Sequence, residues 1–336
     1  MSPATVPRLR VADAEAFARQ VVATHRPAVI EAAVAHWPAV DAGRRSAQAL
    51  AQLLARLDSG APVDAVMVPP GRGGRIFYDD TLAGFNFLRR QLPVSAVLEQ
   101  LLRYSHFDDP PAVAVQSALI ADCLPGWLAL HPQLLLPEGV APRLWLGNRI
   151  VTPAHFDESR NLACVVAGRR RFTLFPPECI VDLYVGPLGH APTGTPISLV
   201  DFAQVDAQRF PRFANALAQA WVADLAPGDA LYIPPLWWHH VQSLDRFNLM
   251  VNYWWPAAGP EPGSALDALL HAVLALRPLP DEQRRAWAAL FEHYVFGPAE
   301  AATAHLPADR RAFLADLDPA LARQLRAFLR SKLDAG

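Results

Sequence analysis

The chain has 336 residues, 52% of them hydrophobic and 18% charged, which suits one large or two small globular domains and excludes a largely disordered chain. Its 30 basic and 32 acidic residues give a net charge of −2, which argues against a broad nucleic-acid-binding surface. No apolar run reaches the roughly 18 residues of a membrane span, and the N-terminal segment lacks the apolar stretch of a signal peptide, so we expect a cytoplasmic protein that does not bind a membrane.

The N-terminal part, residues 1–110, is predicted to contain helical and mixed elements that pack on a core formed later in the chain. Its predicted amphipathic helices share apolar side chains at spacings of three and four residues, and cover residues 12–23, 46–57 and 92–104. The apolar run 27–34 (PAVIEAAV) is a candidate strand, and the Pro- and Gly-rich segment 69–80 is a predicted loop.

The middle part, residues 111–258, is predicted to be an all-β barrel or sandwich. Short runs rich in β-branched and aromatic residues recur from about Val113 to Trp255, and turn signals separate them. The sequence AGRR at 167–170 lies between two apolar runs and predicts a tight hairpin. The long Pro- and Gly-rich connection 180–220 is typical of a lid or a binding loop.

The C-terminal part, residues 259–336, is predicted to be helical. Its predicted helices are rich in Ala, Leu and Arg, are separated by prolines, and cover residues 264–277, 281–296 and 307–334. Such helices fit either a dimerisation element or a bundle that covers one end of the barrel within a single chain.

The first motif with chemical meaning is TPAHFDESRN at 152–161. Residues i and i+2 of a strand point to the same face, so His155 and Asp157 can present an imidazole and a carboxylate to one centre. This pair of ligand types suits iron(II), manganese or zinc. A hydrogen bond between the two side chains, with no metal, is an equally good interpretation of the motif taken alone.

The second motif is GDALYIPPLWWHHVQSL at 228–244, in which His239 and His240 follow two tryptophans. One of these histidines can complete a triad of two histidines and one carboxylate, which leaves metal positions free for a cosubstrate and oxygen. Successive strand residues face opposite sides, so only one of the two can face the metal. The alternative is that this cluster is simply an aromatic edge of the core.

Together with NLMVNYWW at 248–255, these motifs resemble the jumonji-C, cupin-like family of Fe(II)/2-oxoglutarate oxygenases, and among them most closely the asparaginyl hydroxylases. The resemblance extends from about residue 25 to residue 256. It implies a mainly β fold with flanking helices, built on a double-stranded β-helix (jelly-roll, cupin) core. It also implies a hydroxylase with Fe(II) as cofactor and 2-oxoglutarate as cosubstrate, and a possible homodimer formed through the C-terminal helices.

The resemblance assigns roles to individual residues. The metal ligands are His155, Asp157 and His239, while His240 points away from the metal. The residues of the cosubstrate pocket are Gln116, Thr152, Asn161, Arg170, Asn252 and Trp254. Arg170 replaces a lysine that binds the far carboxylate of 2-oxoglutarate, and a guanidinium can bind a carboxylate through two hydrogen bonds. Strand alternation predicts that Arg170 points inward while its neighbours Arg169 and Arg171 face water. A second departure from the family lies near Ala114, where the family has a tyrosine in the pocket.

Two other functions remain open at this point. One is a metal-dependent cupin enzyme that does not use 2-oxoglutarate, and the other is a binding module without catalysis. Arg170 and Thr152 discriminate between the first of these and a 2-oxoglutarate enzyme, because 2-oxoglutarate has no carboxylate anchor if neither residue faces the metal cavity. For the substrate, the near-neutral net charge favours a protein side chain or a small molecule over RNA.

Overall fold

The computed structural model describes residues 3–256 and 263–333 of the chain. The chain forms two compact units, Met1–Ala257 and Ala258–Gly336. The three-part division at residues 110 and 258 stays a prediction. Within the described ranges, no helix combines the length and the apolar composition needed to cross a bilayer.

The first unit is built on two β-sheets that contain fourteen strands among the described residues. The strands are β1 Ala4–Thr5, β2 Arg8–Leu9, β3 Ala28–Ile30, β4 Val63–Val68, β5 Leu88–Leu92, β6 Ala112–Leu119, β7 Pro142–Gly147, β8 Val151–His155, β9 Arg160–Ala167, β10 Arg170–Phe175, β11 Trp221–Leu225, β12 Ala230–Ile233, β13 Trp238–Ser243 and β14 Asn248–Trp255. The small sheet has the order β1-β11-β10-β13-β8, and the large sheet has the order β2-β3-β12-β9-β14-β7-β6-β4-β5. Pairing is antiparallel except between β1 and β11 and between β2 and β3.

Apolar side chains of the two sheets pack against each other between the sheets. Phe172 and Leu174 of the small sheet belong to the same buried cluster as Leu231 and Met250 of the large sheet. These residues occupy alternate positions of their strands, as a two-layered β core requires. The predicted jelly-roll core is therefore confirmed.

Most helices of the first unit cover the outer face of the large sheet, while the last of them packs against the small sheet. The helices of the first unit are α1 Ala14–Gln20, α2 Pro38–Arg45, α3 Ala47–Leu57, α4 Val94–Tyr104, α5 Ile120–Cys123, α6 Trp127–Leu130 and α7 Phe213–Ala218. The three helices predicted from apolar periodicity correspond to α1, α3 and α4. Helix α3 begins after Ser46, whose side chain accepts a hydrogen bond from the Ala49 N–H, and it buries Leu50 and Leu54 against the sheet. Burial of each leucine contributes roughly 1.5–3 kcal/mol.

A tight hairpin joins β9 to β10, as AGRR predicted. Gly168 has φ +71°, and a Cβ atom at this position would lie 2.2 Å from Asn248 Oδ1. The turn therefore requires glycine for both its backbone conformation and its close approach to Asn248. The hairpin fixes which residues of β10 face the space between the sheets.

Buried His131 connects α6 to the start of α2. Its ring stacks on Trp127 with a centroid distance of 3.8 Å, and Nδ1 donates to the Trp127 carbonyl at 2.9 Å. Nε2 accepts a hydrogen bond from the Ala39 N–H at 3.1 Å. The imidazole is therefore neutral, and burial lowers the pKa of His131.

We expect this histidine to make the fold less stable in acid. In the unfolded chain His131 titrates near its usual pKa of about 6.5, whereas in the folded protein its pKa is lower. Stability is therefore fully present above about pH 6.5 and is lost as the pH falls below it, by at most about 1.4 kcal/mol per pH unit for one proton. Guanidinium unfolding between pH 5 and 8 should give a shallower acid slope for His131→Gln than for the wild type. Equal slopes would exclude His131 as a source of the pH dependence.

The C-terminal unit contains α8 Ala265–Leu276, α9 Asp281–Phe291, α10 Ala299–Thr303 and α11 Pro319–Leu333. The third helix predicted here, 307–334, is wrong at its start, because α11 begins only at Pro319. Asp318 explains the difference, since its side chain accepts hydrogen bonds from the N–H groups of Ala320 and Leu321 and so caps the helix. Proline at the first helical position fits the same start. Residue 334, where the prediction ended, lies outside the described residues.

Candidate metal centre and adjoining cavity

Three side chains converge at one end of the small sheet. His155 is the last residue of β8, His239 lies directly opposite it on β13, and Asp157 follows two residues after His155. One ligand atom from each of the three lies within 4.8 Å of the others, and Nε2 of His239 is 3.6 Å from Oδ2 of Asp157. The backbone carbonyl of Asp157 accepts the Leu236 N–H at 2.8 Å, which fixes the loop after β8. The structure thus brings together the three predicted metal ligands.

Backbone carbonyls hold both imidazole rings in one orientation. His155 Nδ1 donates to the Pro153 carbonyl, and His239 Nδ1 donates to the Trp237 carbonyl, each at 2.9 Å. A carbonyl only accepts, so Nδ1 carries the hydrogen in both rings and the lone pair of Nε2 is available to a metal. Burial, followed by the nearby His239, lowers the pKa of His155, which favours the neutral, ligating form.

The alternation of β13 selects between the two adjacent histidines. Trp238 and His240 face away from the centre, and the His240 ring stacks on Phe202 with a centroid distance of 4.2 Å. Burial lowers the pKa of His240 to about 3, so this ring is a neutral part of the packing. Of the two, only His239 reaches the centre, as the resemblance predicted, and the alternation rule predicted that only one of them could do so.

Asp157 is held by side chains from the large sheet. Its Oδ2 accepts hydrogen bonds from Asn161 Nδ2 at 3.0 Å and from Trp254 Nε1 at 2.9 Å. The side-chain oxygen Oδ1 of Asn161 accepts a hydrogen bond from Asn252 Nδ2 at 3.1 Å, and Asn252 Oδ1 accepts one from Trp145 Nε1 at 2.7 Å. Asn161, Asn252 and Trp254 were expected to line the cosubstrate pocket; here they also orient the carboxylate.

We expect Trp254→Phe to weaken metal binding about 10- to 100-fold, because the ring remains while the donor to Asp157 is lost. A competition titration with Mn(II) and a chelator measures the effect. Trp255→Phe is the matched control, since Trp255 packs on the rings of Phe17 and Tyr232 instead. Unchanged affinity in Trp254→Phe would show that this hydrogen bond does not support the metal site.

Arg170 is a buried cation without a counter-ion. Its side chain lies on β10 with 7% of its surface exposed, forms no ion pair within the described part of the chain, and leaves Nε without a hydrogen-bond partner. Its neighbours behave differently, because Arg169 pairs with Asp245 and Arg171 pairs with Asp224 on the surface. Burial lowers the pKa of Arg170 to about 10, so the group remains charged at neutral pH.

One cavity of about 500 Å³ contains all of these groups. All nine predicted site residues line it: Gln116, Thr152, His155, Asp157, Asn161, Arg170, His239, Asn252 and Trp254. A second void of about 20 Å³ is lined in part by Arg170 and by Ala114, near which the resemblance implied a tyrosine. The positions that the resemblance assigned one by one thus share a single space.

The cavity also has walls that sequence reasoning missed. Arg143 and Trp145 lie on β7, and the alternation of the run RLWLG could have identified them as inward-facing. The mouth includes Asp64 and Arg89, which form an ion pair, and Arg89 also donates to the Pro192 carbonyl at 3.1 Å. No local motif marked these mouth residues, because they come from three separate parts of the chain.

Comparison with known proteins gives the following relatives. The profile of the cupin-like domain family matches residues 14–259. HSPB1-associated protein 1 from Homo sapiens is 35% identical over 119 residues, or 35% of this chain and 24% of that protein. Lysine-specific demethylase JMJ31 from Arabidopsis thaliana is 37% identical over 102 residues, or 30% of this chain and 18% of that protein. Bifunctional peptidase and (3S)-lysyl hydroxylase JMJD7 from Homo sapiens is 29% identical over 277 residues, covering 71% of this chain and 80% of that protein.

The match to HSPB1-associated protein 1 thus spans about a quarter of that relative's length. The three relatives named above include a lysyl hydroxylase and a lysine demethylase, by their names. None of the three is named as an asparaginyl hydroxylase, so the closer likeness to that branch stays a prediction.

Proposed function

Because the chain belongs to the cupin-like domain family, we propose that it is an Fe(II)- and 2-oxoglutarate-dependent oxygenase that hydroxylates its substrate. The observation that carries the proposal is Arg170, a buried cation that forms no ion pair with any described residue and lies in the same cavity as the candidate metal ligands. A buried unpaired charge is costly, so a protein keeps one where an anionic ligand supplies the missing partner. The far carboxylate of 2-oxoglutarate fits this role.

The metal would be held by Nε2 of His155, Nε2 of His239 and the carboxylate of Asp157. Two imidazoles and one carboxylate are the ligand set of non-haem Fe(II) oxygenases. When bound, Fe(II) together with the 2-oxo acid supplies the oxidising chemistry that side chains lack. The protein orients these ligands through the Pro153 and Trp237 carbonyls and through the donors to Asp157.

Thr152 and Arg170 support this function over a cupin enzyme that does not use 2-oxoglutarate. Both side chains line the cavity with the triad, whereas such an enzyme needs no carboxylate anchor there. A single strand, β13, lies between Thr152 on β8 and Arg170 on β10, and its Val241 pairs with Thr152 on one side and with Phe172 of β10 on the other. A hydroxyl and a guanidinium on the same side of the sheet suit one carboxylate. A module without catalysis would not require this anchor either.

The experiment is an uncoupled turnover assay. Purified protein with Fe(II), ascorbate and 2-oxoglutarate should form succinate slowly in the absence of a substrate. Independently, 2-oxoglutarate should bind to protein loaded with Mn(II), which does not support turnover, and calorimetry measures this affinity. Tight zinc binding without any affinity for 2-oxoglutarate would contradict the proposal.

For the substrate, we propose a protein side chain or a small molecule, and for the location we propose the cytoplasm. Two of the relatives are named as a lysyl hydroxylase and a lysine demethylase. These names support a reaction that oxidises a carbon of the substrate, either within a side chain or next to a heteroatom. All three cysteines, Cys123, Cys164 and Cys179, are free and buried, which fits a reducing compartment.

We also propose a homodimer formed through the C-terminal helices. Within residues 263–333, only Ala302 and Thr303 are buried, while Trp287, Tyr294 and Phe296 are 43%, 51% and 71% exposed. Apolar side chains exposed at this density suit an interface between subunits. Light scattering should give the mass of a dimer for the wild type and of a monomer for Phe296→Asp; a monomeric wild type at every concentration would refute the dimer.

A further inference from the structure

Arg143 is a second cation in the cavity that lacks a counter-ion. It lies on β7 at the position opposite Asn252, partly exposed to the cavity, and it forms no ion pair with any described residue. Its Nη1 donates to the carbonyl and the hydroxyl of Ser117 at 3.0 and 3.3 Å. Nε and Nη2 make no hydrogen bond to the residues that the structure describes, so they remain available to a ligand.

The guanidinium is close to the candidate metal centre. It lies 5.5 Å from the centre of the Trp254 ring, and Nε1 of the same ring donates to Asp157 at 2.9 Å. A single indole therefore separates Arg143 from a predicted metal ligand. A group bound by Arg143 would place neighbouring atoms of the same molecule within reach of the metal.

The backbone that holds Arg143 is strained. Ser117 has φ +51°, a left-handed conformation that is uncommon for residues other than glycine, and it lies in an irregularity of the β6–β7 pairing between Val115 and Ala118. This irregularity directs the Ser117 carbonyl to Arg143. Strain of this kind persists in proteins mainly where it shapes a functional site.

The balance of charges in the cavity leaves Arg143 without a counter-charge. The charged lining residues are three arginines and two aspartates, namely Arg89, Arg143, Arg170, Asp64 and Asp157. Asp64 already pairs with Arg89. Under the proposed function, a divalent ion and a dianionic cosubstrate add no net charge, and they account for Asp157 and Arg170. The remaining positive charge belongs to Arg143.

We infer that Arg143 binds a carboxylate of the substrate, so that the substrate class of this enzyme is an organic acid or a molecule with an acidic group. This inference rests on the proposed function for the identity of the other ligands in the cavity. Nε and Nη2 of Arg143 supply two parallel donors, which match the two oxygens of a carboxylate. Arg143 is thus a specificity-determining residue, distinct from the arginine that anchors the cosubstrate.

The test uses the full chain loaded with Mn(II) and saturated with 2-oxoglutarate, so that the Arg170 site is filled. Calorimetry then measures the binding of four carboxylates, acetate, N-acetylglycine, N-acetylaspartate and N-acetylglutamate, each against its amide. We expect the wild type to bind at least one acid about tenfold or more tightly than its amide, as a charged hydrogen bond allows. Arg143→Gln should lose this preference and Arg143→Lys should keep part of it. Arg90→Gln, which removes the same charge from the exposed strand β5, should keep all of it.

The outcomes separate this inference from the proposed function. If Mn(II)-loaded wild type does not bind 2-oxoglutarate, the proposed function fails before the acids are added. If 2-oxoglutarate binds equally to the wild type and to Arg143→Gln but no acid is preferred over its amide, the inference about Arg143 is overturned. Loss of 2-oxoglutarate binding in Arg143→Gln, with an unchanged melting temperature, would place Arg143 in the cosubstrate site and also overturn it.

Discussion

Replacing Asp157 by alanine should abolish 2-oxoglutarate turnover and metal binding together. The change removes the one anionic ligand of the candidate metal centre and leaves Asn161 Nδ2 and Trp254 Nε1 without their acceptor. A loss of about 4 kcal/mol of stabilisation at the metal corresponds to a rate lower by about 1,000-fold. Succinate formation measures the turnover, and the electron paramagnetic resonance signal of Mn(II) measures the metal.

Two controls make this result specific. His155→Ala should have the same effect, although it leaves the donors to Asp157 in place. Glu178→Ala removes an exposed carboxylate outside the cavity and should leave both readouts unchanged. An Asp157→Ala protein that is folded, as circular dichroism would show, and still turns over 2-oxoglutarate would contradict the proposed metal centre.

Replacing Arg170 by methionine should have opposite effects on binding and on stability. The KM for 2-oxoglutarate should rise about 100-fold, because a charged hydrogen-bonded contact is lost. In contrast, the free energy of unfolding of the ligand-free protein should increase by about 1–2 kcal/mol, because a buried unpaired charge is replaced by an apolar side chain of similar length. Succinate kinetics and guanidinium unfolding measure the two quantities.

Arg169→Met is the matched control for this prediction. Arg169 is exposed and pairs with Asp245 at the surface, so its loss should leave KM unchanged and alter stability by less than about 1 kcal/mol. Equal changes of KM in the two variants would show that Arg170 does not anchor the cosubstrate. A destabilised Arg170→Met protein would show that the guanidinium has a partner in the fold.

The strands around the site could be predicted because their side chains alternate between two faces, each with a defined environment. In β13, the large Trp238 and the ring of His240 fill the outer layer, which leaves His239 as the inward residue. The same alternation identified Arg170 between two exposed arginines. Wherever both faces of a strand have a defined environment, the sequence pattern carries enough information to place the side chains.

The sequence pattern did not predict strand β5 or the start of helix α11. Strand β5 reads LRRQL, and four of its five residues are exposed because it lies at the edge of the large sheet. Its residues therefore show no apolar alternation, and the contact of Arg89 with the cavity could not be foreseen. The late start of α11 depends on a local cap at Asp318, which competes with a periodic pattern that continues through it.

The backbone hydrogen bonds of His155 and His239 have a consequence for the handling of the protein. Because Pro153 and Trp237 carbonyls set the ring orientations, and because the two histidines are paired across adjacent strands, the chelating geometry belongs to the sheet and does not depend on the ion. Stripping with a chelator should therefore leave a folded apoprotein that regains its ion on simple addition, without a refolding step. Exchange of one divalent ion for another then requires only equilibration, which makes spectroscopic substitutes for the proposed iron accessible in the intact chain.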